Sequence, residues 1–213
     1  AYAQNMNQQL EASFPAHNMP KPYSFLAPLR HSILGFMHRA VDMILPHELF
    51  SALYHKYPTG WQRCVLPDAQ RVSSFWRAVQ GGQQFLTHPV RERPNFRTHC
   101  IPLSIHGDGT PVVGIGKAWG RLMNIWSWSS ILRTSGHTLL RNLLMFCIHQ
   151  VLQCGTDGHN TLDVVFLKMA WSFTWLWLGK WPTHDWNGQP IRNRKAGTDL
   201  AGGYFACVWC LPG

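Results

Sequence analysis

The spacing of apolar residues divides the chain into a helical first part and a mixed second part. In the first part apolar positions recur every three or four residues, which is typical of amphipathic helices. Pro46 suits the start of a helix, Asp68 suits an N-cap, and Gly81-Gly82 suits a helix end. Three helices are therefore predicted, over residues 32–45, 47–57 and 68–80.

After about residue 98 the pattern changes to alternation, which is typical of strands. The predicted elements are strands over 101–106, 112–115 and 122–132, helices over 138–152 and 161–178, and a strand over 203–211. The run 164–178 is apolar, but Lys168 interrupts it and it is shorter than the roughly 20 residues of a membrane span. It therefore predicts a buried core helix and no membrane partner.

These elements suggest three parts. Residues 1–28 are rich in Gln, Asn and Pro and are expected to form a flexible arm. Residues 29–97 are expected to form a basic helical region that ends in a linker over 88–97, and residues 98–213 an α/β domain. The chain begins without Met and stops directly after a strand-like run, so we expect a fragment of a longer protein.

Composition narrows the function. The chain is 46% hydrophobic and only 14% charged, which excludes a disordered chain, and its formal charge of +9 favours polyanionic partners. A basic protein without such a partner remains the alternative. Six scattered cysteines and the lack of a signal segment predict reduced thiols in an intracellular protein, with the nucleus as one location.

Asp108 is the main candidate for chemistry. It is the only carboxylate between Glu92 and Asp157, and it lies in the segment His106-Gly-Asp-Gly109 between two apolar runs. Asp-Gly between strands is a common hairpin turn, which is the structural interpretation. The functional interpretation is a metal ligand at the end of a strand. The two interpretations are compatible.

The order of predicted elements bears on that choice. Three strands followed by a helix and a further strand is how an RNase H-like domain begins. In such folds one Asp lies on or just after the first strand and a second follows the fourth strand, and the pair holds divalent metal ions. Asp108 occupies the first place, while the second falls after Gly213, where this sequence stops. The fold class is therefore α/β (α+β), an incomplete RNase H-like domain with a small helical N-terminal region.

Three segments carry a resemblance: PLSIHGDGTPVVGIGKAWGRLMNIWSWSSIL, KWPTHDWNGQP and AGTDLAGGYFACVWCL. Together they resemble uncharacterised protist proteins related to DDE transposases of the CACTA/Plavaka type, over about residues 60–213. The resemblance implies DNA as partner and Asp108 as the catalytic carboxylate that binds Mg²⁺ or Mn²⁺. Since two of three acids are unassigned, it implies a transposase-derived nucleic-acid-binding protein whose ancestral phosphodiester cleavage and strand transfer are lost. The alternative is a non-enzymatic structural or protein-interaction protein.

The sequence also offers candidate residues for contacts with nucleic acid or a metal. Nucleic-acid contacts are expected from basic residues near Asp108 or in the linker, namely Lys117, Arg121, Arg91, Arg93 and Arg97. Trp126 and Trp128 lie on the same side of their predicted strand and could stack on bases if that face is open. Cys207 and Cys210 form a lone CxxC, which without a second pair favours two buried thiols over a zinc site.

Overall fold

The computed structural model describes residues 19–111, 122–134, 142–156 and 158–210, except for the side chain of residue 156. Within these ranges the protein contains both helices and β-sheets, so the mixed α+β class is confirmed. The helices are α1 (Pro46–Lys56), α2 (Pro58–Cys64), α3 (Ala69–Val79), α4 (Gln83–Thr87), α5 (Phe96–His99) and α6 (Thr161–Leu178). The strands are β1 (Tyr23–His31), β2 (Gly35–Met43), β3 (Cys100–Pro111), β4 (Leu122–Ser130), β5 (Leu143–His149), β6 (Gly155–Thr156), β7 (His159–Asn160) and β8 (Phe205–Val208).

A four-stranded central sheet has the strand order β5-β4-β3-β8. The first three strands in the chain, β3, β4 and β5, pair antiparallel, whereas β8 pairs parallel with β3 on its other side. A parallel return requires a crossover connection, and α6 lies in the segment that connects β5 to β8. The order of three strands, a helix and a strand is therefore present, but it is formed by other residues than predicted: β5 lies where a helix was predicted, and the strand predicted over 112–115 lies outside the described residues.

Helix α6 has the bounds that the sequence predicts. The side chain of Asn160 accepts a hydrogen bond from the backbone N–H of Leu162 at 2.9 Å and caps the helix start. Gly179 adopts a left-handed conformation at the other end (φ +67°), which only glycine adopts without strain. The central position of Lys168 is buried, as expected of a core helix. Among the described residues, no helix combines the length and apolar character needed to cross a membrane.

Helices α1 and α3 also form where the sequence predicts them. Pro46 lies in the first turn of α1, and Asp68 caps α3 by accepting a hydrogen bond from the backbone N–H of Arg71 at 3.0 Å. The predicted glycine cap of α3 is wrong, because Gln80 ends the helix and Gly82 instead precedes α4. The linker predicted over 88–97 contains a 3₁₀ turn, Pro89–Glu92, and the start of α5.

The helix predicted over residues 32–45 is wrong. Most of those residues belong instead to an antiparallel β-ribbon, hereafter the ribbon, in which the three-residue turn 32–34 joins β1 to β2. Gly35 follows the turn with φ +73°, the conformation that a three-residue hairpin loop requires. The ribbon also begins inside the predicted arm, since Phe25 and Ala27 are buried against the core.

The helix predicted over residues 138–152 is also wrong where the structure describes it, because Leu143–His149 is strand β5. A β-bulge explains the misleading pattern: Trp126 pairs with Phe146 and Ser127 with Leu144, so Met145 has no partner. Met145 and Phe146 are consequently both buried, and two consecutive buried residues break the alternation expected of a strand.

One buried cluster joins the ribbon, the helices and the central sheet. Trp76 of α3 is fully buried, and its indole N–H donates to the carbonyl oxygen of Cys100 at the start of β3 at 2.8 Å. Helices from the first half of the chain therefore pack directly on the sheet of the second half.

Candidate nucleic-acid interface

Asp108 lies within a continuous strand and not in a turn. It belongs to β3, opposite Ile125 of β4, and nine consecutive residues of β3, from Leu103 to Pro111, pair with β4. The predicted hairpin turn at Gly107–Gly109 is therefore wrong, and the predicted strand over 101–106 extends to Pro111. Both glycines lie beside large side chains of β4: a Cβ at Gly107 would lie 3.1 Å from Nε1 of Trp126, and a Cβ at Gly109 would lie 3.3 Å from Cδ1 of Leu122.

This geometry defines the face of Asp108. Side chains alternate along a strand, so Asp108 shares its face with His106 and not with Gly107. The face of Gly107 carries Trp126, whose ring lies 5.8 Å from that of Phe166 on α6. Asp108 is therefore on the face away from α6, and its side chain is exposed.

The acid set expected for two-metal chemistry is not assembled around Asp108 in the described residues. No group of three His, Cys, Asp or Glu side chains that could hold a metal ion occurs in the described part of the chain. β8 runs parallel to β3 towards Asp108, but its last residue, Val208, lies opposite Leu103. The donor set in the described residues does not fit a two-metal site.

The five basic residues predicted to bind nucleic acid differ in whether the structure describes them and in where they lie. Lys117 and Arg121 lie outside the described residues, as does the strand predicted over 112–115. Arg91 and Arg97 are exposed, in the segment that leads into β3. This segment ends at Cys100, and eight residues of strand, about 26 Å, separate Cys100 from Asp108. The structure does not bring these two arginines together with Asp108.

Arg93 is half-buried and contacts two aromatic rings. Its guanidinium carbon lies 4.5 Å from the ring centre of Phe205 and 5.3 Å from that of Trp177. One guanidinium nitrogen donates to the carbonyl oxygen of Leu178 at 3.5 Å, at the C-terminal end of α6. A cation there interacts favourably with the helix dipole, so the contacts of Arg93 favour a structural role.

The tryptophans proposed for base stacking are largely used by the core. Trp128 is fully buried beside Phe50 of α1, so it is not available as an open platform. Trp126 is half-buried between Phe146 and Phe166. One cysteine of the CxxC differs from expectation: Cys207 is buried, as predicted, but Cys210 is exposed, because β8 ends at Val208 and residues three apart point in different directions.

Lys168 is a second internal cation. It is 2% exposed, and its ammonium nitrogen lies 3.0 Å from the ring centre of Trp186 and 5.4 Å from that of Phe25. Burial lowers the pKa of Lys168 below its usual value. Aromatic faces, and not a carboxylate, stabilise this charge.

A cleft of about 570 Å³ separates α1 from the loop after α6. Glu48, His55, Lys195 and Trp181 are among its lining residues, and the Lys195 nitrogen lies 4.7 Å from the Trp181 ring centre. Burial raises the pKa of Glu48, an effect that Lys195 partly opposes. Because an acid lies among its cations, the cleft does not suit a polyanion.

The ribbon carries a different set of basic side chains. Arg30 and His38 lie on one of its faces, and His31 and Arg39 lie on the other, as the pairing register shows. Arg30, His38 and Arg39 are exposed, and residues 30–40 contain no acid. The nearest acid, Asp42 near the base, accepts a hydrogen bond from the Ser24 hydroxyl.

The tip of the ribbon is ordered and apolar. Nδ1 of His31 accepts hydrogen bonds from the backbone N–H groups of Ile33 at 3.3 Å and Leu34 at 3.1 Å. These bonds hold the turn with the Ile33 and Leu34 side chains in solvent, 86% and 65% exposed. At the other end, Phe25 and Ala27 anchor the ribbon in the core. Next to the tip turn, the ring of Phe36 stacks on that of His159, with the ring centres 3.7 Å apart.

Sequence reasoning missed this element, although a signal was present. Apolar residues occupy alternate positions at Tyr23, Phe25, Ala27 and Leu29, which is a strand pattern. Gly35 follows a short turn and begins the second strand. The prolines at 22 and 28 concealed this pattern, because they favoured irregular structure.

Most cations of the described residues have no carboxylate partner. The ion pair between Arg71 and Asp68, at 3.3 Å, lies within α3. Apart from it, and leaving Lys56 and Arg133 aside, the described lysines and arginines form no ion pair within 4.0 Å. The positive charge of the chain is therefore not neutralised within the described fold.

No protein-family model, curated protein or solved structure matches this chain. The functional argument therefore rests on the residues and the geometry described above.

Proposed function

We propose that this chain is a transposase-derived nucleic-acid-binding protein that no longer cleaves phosphodiesters. The observation that carries the proposal is the exposed positive charge without carboxylate partners, on a chain with a formal charge of +9. Phosphate backbones bind such charges by releasing condensed counterions, and this supplies most of the affinity of sequence-independent binding. DNA is the partner that the transposase resemblance implies, and the nucleus is the corresponding location.

The sheet supports an RNase H-like origin. An RNase H-like domain begins with three antiparallel strands, followed by a helix and a fourth strand that pairs parallel with the first. The central sheet has this arrangement, with β3 as the first strand and β8 as the fourth. Asp108 lies on the first strand, as the resemblance implies. A fold does not by itself imply a function, so this agreement strengthens the origin and not the activity.

The proposed loss of turnover is supported by the acid set of the described residues. Two-metal cleavage needs several carboxylates to hold both ions and to position the attacking water. Asp108 is exposed on the sheet face away from α6, and no metal-holding group occurs around it within the described ranges. A nuclease assay with Mg²⁺ or Mn²⁺ should therefore give no turnover. Turnover that Asp108→Ala abolishes would overturn this part of the proposal.

Binding is tested by the salt dependence of affinity. Fluorescence anisotropy with a labelled 30-bp duplex, at 50 to 300 mM NaCl, should give a straight line of log affinity against log salt with a steep negative slope. The slope reports the number of phosphates contacted, at about 0.9 per contact for duplex DNA. If neither DNA nor RNA is retained at 50 mM salt, the proposal is wrong and the interaction-protein alternative is favoured.

A further inference from the structure

The cleft between α1 and the loop after α6 has the size and construction of a small-molecule site. Its volume of about 570 Å³ lies within the range of clefts that bind small ligands. Trp181 and Lys195 lie on the side of the loop. The other wall is one face of α1, because its lining residues follow the three- and four-residue spacing of neighbours on a helix: Glu48, Ser51, Ala52, His55 and Lys56.

Hydrogen bonds of the chain fix the two walls. The backbone N–H of Trp181 donates to the carbonyl oxygen of Thr198 at 2.9 Å, and the carbonyl oxygen of Trp181 accepts from the N–H of Gly197 at 3.0 Å. The Ser51 hydroxyl donates to the carbonyl oxygen of Leu200 at 2.7 Å and so joins α1 to the end of the loop. Walls that are already ordered lose little conformational entropy when a ligand binds.

Glu48 carries the negative charge of the cleft and has no partner for it in the described part of the chain. It lies in the first turn of α1, but its carboxylate accepts no hydrogen bond from a described residue and forms no ion pair within 4.0 Å. Burial raises the pKa of Glu48, as expected of a carboxylate that has lost water and gained no donor. A cationic donor on a ligand would replace the missing water.

Lys195 supplies a positive charge on the opposite wall. The side-chain oxygen of Asn193 accepts hydrogen bonds from the backbone N–H groups of Lys195 and Ala196, both at 2.9 Å, and holds the loop at this point. The charge of Lys195 is close enough to oppose the rise in the pKa of Glu48, but the two side chains do not meet within 4.0 Å. Opposite charges therefore lie in one cleft without forming an ion pair.

This arrangement discriminates between ligands by their charges. A cation alone would meet the repulsion of Lys195, and an anion alone would meet that of Glu48. A neutral ligand would leave both charges without a partner, which costs free energy as water is displaced. A zwitterion pairs with both. The apolar part of the lining, from Pro20, Ala52 and Trp181, suits an apolar substituent.

We propose that the cleft binds a small zwitterion, namely an α-amino acid with an apolar side chain. Its ammonium group pairs with Glu48, its carboxylate pairs with Lys195, and its side chain lies against Ala52 and Trp181. This inference goes beyond nucleic-acid binding and does not depend on it, because none of the residues predicted to contact nucleic acid lines the cleft.

Isothermal titration calorimetry of the full chain with L-phenylalanine tests the assignment. Two analogues each lack one charge: 3-phenylpropanoate has no ammonium group, and 2-phenylethylamine has no carboxylate. L-phenylalanine should bind with a Kd of about 1 mM or below, and each analogue should bind about 10- to 100-fold more weakly, since hydrogen bonds to charged groups contribute on that scale. No binding of L-phenylalanine up to about 10 mM, or equal affinity for the three compounds, would overturn the proposal.

Two variants divide the recognition between the two charges. Glu48→Gln keeps the size of the side chain and removes the negative charge. It should lose the preference for L-phenylalanine over 3-phenylpropanoate but keep the preference over 2-phenylethylamine. Lys195→Met should show the converse, because it loses the partner of the carboxylate. A general loss of structure would remove both preferences together, so this pattern reports on the two charges and not on folding.

Glu92→Gln is the matched control, since Glu92 is exposed in a 3₁₀ turn and does not line the cleft. It should keep the affinity and both preferences, and thermal melting checks that all three variants are folded. A Glu48→Gln chain that still prefers L-phenylalanine over 3-phenylpropanoate would contradict the role of Glu48, whereas loss of that preference in this variant alone supports it. DNA binding is measured separately by anisotropy, so the failure of either proposal leaves the other standing.

Discussion

The molecule holds its cations in two contrasting ways. Arg93 and Lys168 lie against aromatic rings inside the fold, whereas Arg30 and Arg39 project from the ribbon into solvent. The first pair contributes to packing, because the rings replace the lost water. The second pair has no partner among the described residues and remains available to an external polyanion. Two of the cations behind the net charge of +9 are therefore held against aromatic rings and are less accessible to a partner than the two ribbon arginines.

The largest expected difference in stability is between an apolar side chain in the core and one at the tip of the ribbon. Trp76 is fully buried and its ring contacts Phe85, Phe96 and Trp209, so Trp76→Ala should lower the free energy of unfolding by about 3–5 kcal/mol. Ile33→Ala at the exposed ribbon tip should change it by less than about 0.5 kcal/mol. Urea denaturation measures both. Similar values for the two variants would contradict the distinction between a packed core and a projecting tip.

The next effect is a pH dependence that originates in the core. His47 is buried, its Nδ1 lies 2.8 Å from the Ser172 hydroxyl, and burial lowers its pKa to about 3. The unfolded chain therefore binds a proton below pH 6.5 that the folded chain refuses, so stability falls as the pH drops. The loss at pH 5 should be about 2 kcal/mol.

Urea denaturation between pH 8 and pH 4.5 measures this loss. His47→Asn keeps a polar atom near Ser172 but does not titrate, so it should remove the step. His38→Asn, on the exposed ribbon, is the matched control and should leave the pH profile unchanged. A step that persists in His47→Asn would assign it to another group.

A smaller effect on the free energy of unfolding should distinguish Arg93 from an exposed arginine such as Arg192. Arg93→Ala should lower the free energy of unfolding by about 1–2 kcal/mol, because it removes two ring contacts and the bond to the Leu178 carbonyl. Arg192→Ala should have no measurable effect. The salt slope for DNA binding should be unchanged in Arg93→Ala, which anisotropy measures. A slope reduced by about 0.9 would instead assign a phosphate contact to Arg93.

The smallest effect is expected at Lys168. Lys168→Met keeps most of the side-chain volume and removes a buried charge without a carboxylate partner, so stability should change by less than about 1 kcal/mol. Since burial lowers the pKa of Lys168 in the folded state, stability of the natural chain should rise as the pH approaches 10.5. The variant should show a smaller rise between pH 8 and pH 10 in urea denaturation.

The sequence predicts elements well where end signals and spacing agree. Asn160 and Gly179 mark both ends of α6, and Asp68 marks the start of α3, because these side chains bond locally to the backbone they cap. The strand over β4 was predicted from alternation, and β8 from its apolar run. Such local signals need no knowledge of the rest of the fold.

The errors come from contacts between distant residues. Met145 is buried only because a bulge lets two consecutive residues of β5 face the core, and the pairing with β4 creates that bulge. Asp108 resembles a turn residue in the sequence, but the large side chain of Trp126 lies where Gly107 leaves space. The ribbon was missed because its apolar tip mimics helical spacing. The sequence analysis consequently named Asp108 as a site but did not identify the ribbon, since His38 and Arg39 fall within the helix predicted over 32–45.

The bulge at Met145 has a further consequence. β5 is an edge of the central sheet, and the backbone N–H of Ile44, at the base of the ribbon, donates to the Met145 carbonyl oxygen at 2.8 Å. An exposed sheet edge offers unpaired backbone groups to any other strand and so invites aggregation. The irregular backbone at Met145 interrupts that row of groups, and the ribbon base occupies one of them. The same element that reaches outward at its tip thus protects the chain, at its base, from pairing with a second copy.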